Sequence, residues 1–129
     1  MAEDIIPDDV ARFILEKIES VAQLEALLLL RNNPDMGWSV QSLAARLYIS
    51  EEQTLGVLLV LRGQGFVSTD LRDPSVYRYR PSSTVLKTML DRLADIYAKH
   101  LVPVTNLIHS KPKSRIQEFA DAFRLRKDN

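Results

Sequence analysis

The chain has 129 residues, 46% hydrophobic and 26% charged, with 17 basic and 17 acidic side chains and no cysteine. That length suits one domain with a true core, and the composition excludes a globally disordered chain. Without cysteine there is neither a disulfide framework nor a thiolate zinc site, and no apolar run reaches the roughly 18 residues that cross a bilayer.

The acidic start, Glu3-Asp4, lacks the basic region of a secretory signal, so a cytoplasmic protein with no membrane partner is expected. The balanced charge is unevenly spread. Residues 1–30 hold seven acids against Arg12 and Lys17, residues 31–83 hold six arginines against five acids, and residues 84–129 hold nine bases against five acids. No segment is basic enough to grip phosphates without further structure.

A single domain over 1–129 is expected, mainly α with one small hairpin. Pro7-Asp8-Asp9 opens a helical region over 8–31, with Val10, Ile14, Ile18, Val21, Leu24 and Leu28 at a 3.6-residue rhythm. It either runs unbroken or restarts at Ser20, which has Gln23 three residues on as a capping partner. Asn32-Asn33-Pro34-Asp35-Met36-Gly37 is a loop. Trp38 then precedes a cap at Ser39, as a staple over the helix that places Val40, Leu43, Ala44 and Leu47 on one face.

Ser50 caps a second helix, with Gln53 in capping-box position, and Gly63 and Gly65 end it. Phe66-Val67 opens an extended segment that reverses near Asp73-Pro74-Ser75 and returns as Val76-Tyr77-Arg78-Tyr79-Arg80. Pro81-Ser82-Ser83 then starts a long helix over 83–110. Its apolar seam of Leu86, Leu90, Leu93 and Tyr97 continues at Val104 and Leu107; the repeat is interrupted at His100, and Pro103 is expected to kink or interrupt the helix. The seam is too wide for one small core, so those four residues are expected to form a dimer interface across a two-fold axis. A short helix over 114–126 closes the chain, with Ile116, Phe119 and Phe123 on one side.

The run Ser50 to Val67, with apolar Val57, Leu58 and Leu61 before Gly65-Phe66-Val67, resembles the recognition helix of bacterial winged-helix regulators, closest to the MarR type. SVQSLAARLYIS resembles their first motif helix, and the similarity covers Ser39 to about Arg80. The resemblance implies a winged helix-turn-helix over 39–80, flanked by N- and C-terminal dimerisation helices and binding double-stranded DNA. The residues it assigns to DNA are Ser50, Gln53, Thr54 and Gly56 on the second helix, Arg46 before it, and Arg72, Arg78 and Arg80 on the wing.

The second motif helix departs from a groove reader. With Thr54, Val57, Leu58 and Leu61 inward, its outer side carries Glu52, Gln53, Leu55, Gly56, Leu59 and Val60, of which only Gln53 suits base edges. Glu51 and Glu52 complement the helix dipole but oppose phosphates. Leu55, Leu59 and Val60 could therefore meet a protein partner or the stripe Ile116, Phe119 and Phe123 of the chain's own end; the rival reading puts Leu55 and Leu59 in the domain core, with that tail packed on the dimer helices.

No glycine-rich phosphate loop, cysteine nucleophile or paired histidine–carboxylate set is present, and His100 and His109 lie nine residues apart, so neither enzyme activity, a cofactor nor a metal is expected. Two functions stay open: a dimeric winged-helix DNA-binding transcriptional regulator, and a winged-helix protein-interaction module without sequence-specific DNA binding.

Overall fold

The computed structural model of the chain describes residues 5–110. It is mainly helical, with one small antiparallel hairpin: α1 (Asp8–Lys17), α2 (Val21–Asn32), α3 (Val40–Leu47), α4 (Glu51–Gly63), β1 (Val67–Thr69), β2 (Tyr77–Tyr79), α5 (Thr84–Lys99) and α6 (101–110). The short helix expected over 114–126 lies outside the described residues.

Serine hydroxyls set four of the helix starts. Ser20, Ser39, Ser50 and Ser83 each accept a hydrogen bond from the backbone N–H three residues on, satisfying a donor the first turn cannot. The full reciprocal box forms at Ser39 with Ser42 rather than at Ser50 with Gln53. At Ser20 the chain restarts, so the region over 8–31 is two helices that meet at a corner.

Gln23 holds that corner. It is a buried polar side chain, 2% exposed, whose amide nitrogen reaches two other helices. Its Nε2 donates to the Lys17 carbonyl at the end of α1 and to Gln64 Oε1 at the end of α4, each at 3.0 Å. Its Oε1 accepts from the Glu19 N–H at 2.7 Å, and Gln64 Nε2 also donates to the Lys17 carbonyl at 2.8 Å.

The core gathers Val10, Ile14 and Ile18 of α1, Leu24, Leu27 and Leu30 of α2, Leu43 of α3, Leu58 and Leu61 of α4, and Phe66. Phe13 stacks on Phe66 with ring centroids 5.8 Å apart. Gly65 makes the exit from α4 possible: its φ is +77°, and a Cβ there would lie 2.7 Å from Ser82 Oγ.

The hairpin pairs Val67 with Tyr79, Ser68 with Arg78 and Thr69 with Tyr77. Trp38 extends it by a two-bond bridge, exchanging N–H···O bonds of 2.8 Å with Tyr77 in both directions. The indole itself is buried.

Two expectations for the long helix are corrected. The break falls at His100 (φ −136°, ψ 55°), three residues before Pro103. A proline ring clashes with the carbonyl four residues back, which here is Lys99. Ending α5 at Lys99 places Pro103 in the first turn of α6, where no N–H is needed. The seam is also not free for a partner: Leu90, Leu93 and Tyr97 are buried within the single chain and Leu86 is half-buried against the same core. α1 and α2 supply the second flank that a dimer was expected to provide, tied by a bidentate Arg92–Asp9 pair and by Arg31–Asp91 at 3.0 Å.

Gln23→Ala removes a side chain that joins three elements, and we expect a loss of about 1–3 kcal/mol in urea unfolding. Leu93→Ala should cost about 2–5 kcal/mol, with a midpoint shift that does not change with protein concentration, as for a core residue rather than a dimer contact.

Candidate functional site

α3 and α4 are joined by the tight turn Tyr48–Ser50, with Tyr48 in the left-handed region at φ 57°. α4 leaves that turn with one face inward: Thr54, Leu58 and Leu61 are buried and Val57 is half-buried. The opposite face is bare among the described residues. Leu55 is 41% exposed, Leu59 50% and Val60 39%, with Glu51, Glu52, Gln53 and Gly56 exposed beside them.

The eight residues assigned to DNA do not form one surface. Ser50, Gln53 and Gly56 lie at the start and on the outer face of α4, although the Ser50 hydroxyl is engaged by the Gln53 N–H at 3.0 Å. Thr54 is removed from the set: it is fully buried, and its hydroxyl donates to the Ser50 carbonyl at 2.8 Å. Arg46 is exposed. Its guanidinium lies 5.9 Å from the Trp38 ring centroid and lines a groove of about 620 Å³ between α2, α3 and α5, together with Glu25, Arg31, Asp91 and Asp95.

The three hairpin arginines do gather, around an open cleft of about 450 Å³ that Pro34 and Ser68 also line. They are not equivalent. Arg78 donates from Nε to Asp70 Oδ2 at 3.3 Å and from Nη1 to the Asp35 carbonyl at 2.7 Å. It straps the hairpin to the loop before α3. Arg72 and Arg80 are exposed. The Arg72 N–H, followed by the Arg78 guanidinium, holds the Asp70 carboxyl below the ordinary aspartate range, and the Ser75 hydroxyl and N–H do the same for Asp73. The cleft thus carries a stable negative charge within its basic rim.

No sequence pattern signalled the Asp70–Arg78 pair, which depends on hairpin register. In the groove that Arg46 lines, Tyr97 Oη donates to Glu25 Oε1 at 2.5 Å. Burial, then the Glu25 carboxylate, pushes the Tyr97 hydroxyl up to about 12. Among the described residues no three histidine, aspartate or glutamate side chains converge as a metal-ligand set, and no helix is long and apolar enough to cross a membrane. No family model, curated protein or solved structure matches the chain.

A tyrosine whose folded pKa is raised contributes stability below its unfolded value, and loses it as pH rises toward the folded value. Stability should hold to about pH 10 and fall between pH 10 and about 12. Tyr97→Phe should flatten that alkaline limb in chemical unfolding followed as a function of pH.

Proposed function

We propose that the chain is a winged-helix interaction module. In this reading α3 and α4 are the helix-turn-helix, the hairpin is the wing, and α4 docks a protein through Leu55, Leu59 and Val60. The observation that carries it is the exposure of those three side chains on one helix face, next to two acids with no ion pair among the described residues. Contiguous apolar surface of that kind is what buried interface centres are made of, and leaving it bare costs solubility.

A helix entering a major groove brings its first turn close to phosphates, where cations and hydrogen-bond donors are favoured. α4 brings Glu51 and Glu52 there, and its first cation is Arg62, at the opposite end. Like charge at the phosphates would weaken binding at every sequence.

The second reading is the dimeric DNA-binding regulator. What supports it is the pair Arg72 and Arg80, exposed around the hairpin cleft, with Gln53 free on α4. In that case the wing would supply most of the affinity.

A photo-reactive benzoylphenylalanine in place of Leu59 separates the two, in cells that naturally make the protein. The docking reading expects a crosslinked adduct that resists nuclease and yields crosslinked peptides by mass spectrometry. A nuclease-sensitive adduct at that position overturns it in favour of DNA.

A further inference from the structure

We infer that the occupant of the α4 face is a second copy of this chain, with the two α4 helices crossing nearly antiparallel about a two-fold axis at Gly56. The inference rests on the docking reading above.

The first observation is the glycine itself. Of the four glycines, Gly37 and Gly65 are demanded by the fold, since a Cβ would come within 2.5 Å of Val76 Cγ1 in one case and 2.7 Å of Ser82 Oγ in the other. Gly63 is the last residue of α4. Gly56 has none of these reasons. It lies mid-helix, its φ is not positive, and a Cβ there would meet nothing within 4 Å. Alanine would fit and would make a firmer helix. Nothing within the described fold requires the missing side chain, whereas close approach of another backbone from outside does.

The second observation is the order of charge along the face. Glu51 and Glu52 stand at one end and Arg62 at the other, all exposed and without an ion pair among the described residues. Gly56 lies near the midpoint of that span, with apolar Leu55, Leu59 and Val60 around it. A face that is acidic at one end, basic at the other and small at its centre is complementary to itself when turned end for end. In a two-fold contact, residue i meets j and j meets i. Arg62 of each copy then comes within reach of Glu51 and Glu52 of the other, while Leu59 and Val60 meet the partner's Leu55 across the glycines. Nucleic acid offers no counterpart to the two acids.

One helix pair buries well below the roughly 1,600 Å² of a standard interface, so the dimer is weak and depends on concentration. Sedimentation of the full chain should show a reversible monomer–dimer equilibrium. Gly56→Leu should weaken it at least tenfold while leaving the melting temperature unchanged or higher. Glu51→Arg with Glu52→Arg makes one self-repelling variant and Arg62→Glu another; each alone should be monomeric, and an equimolar mixture should dimerise. Gly56→Cys, the only cysteine in such a chain, should close a symmetric disulfide on mild oxidation, and Val85→Cys should not. A wild-type monomer at all concentrations, or a dimer indifferent to Gly56→Leu and to the charge exchange, overturns the inference. A photo-adduct at position 59 with a different protein also overturns it but leaves the docking reading standing. A nucleic-acid adduct removes both.

Discussion

The carboxamide of Gln23 is the constraint on which the placement of the other elements depends. An amide presents two donors and an acceptor, and when buried it must satisfy them within the protein. Here they reach the end of α1, the backbone entering α2 and the end of α4. Apolar packing alone would hold these helices together while tolerating some sliding; a directional polar cluster at their junction does not. The direction in which α4 leaves the core, and therefore which of its faces reaches solvent, follows from that junction. The Ser50 cap fixes the other end of α4.

Charge is used in two ways on the exposed surface. Around the hairpin it is spent within the chain: Arg78 is occupied by Asp70 and by a backbone carbonyl, and only its neighbours remain open to a ligand. The aspartates there and at Asp9 and Asp91 titrate below the ordinary range because each accepts hydrogen bonds or faces a cation. Their contribution is present at neutral pH and is lost on acidification through those lowered values. On α4 the charges have no ion-pair partners among the described residues. That contrast, more than any single side chain, makes α4 the surface with unused interaction capacity.

Local chemistry was the legible part of this sequence. The serines at 20, 39, 50 and 83 mark helix starts because a hydroxyl can accept from a free N–H wherever it precedes a helix. The reversal near Asp73-Pro74-Ser75 and the inward set Leu58 and Leu61 follow from turn preference and from period. The misses involve distance. Whether a leucine seam is covered by its own chain or by another depends on how α1 and α2 fold back, which the period of α5 does not encode. Thr54 sits at a plausible motif position, yet it is drawn into the core. Pro103 marked a disruption correctly, but its ring acts on the carbonyl four residues earlier, so the break appears upstream of the residue that causes it.

Trp38 is the only tryptophan in the chain, and it occupies the joint between the hairpin and the loop before α3. Its ring is buried, a guanidinium lies over one face, and its indole N–H has no hydrogen-bond partner among the described residues. Indole emission responds to solvation and to nearby charge, so the protein carries its own optical reporter at that joint. Detachment of the hairpin would change the colour of the fluorescence while the helical signal in circular dichroism stayed constant. The molecule can thus show whether its two-stranded arm lifts away as a separate unit or comes apart only with the rest.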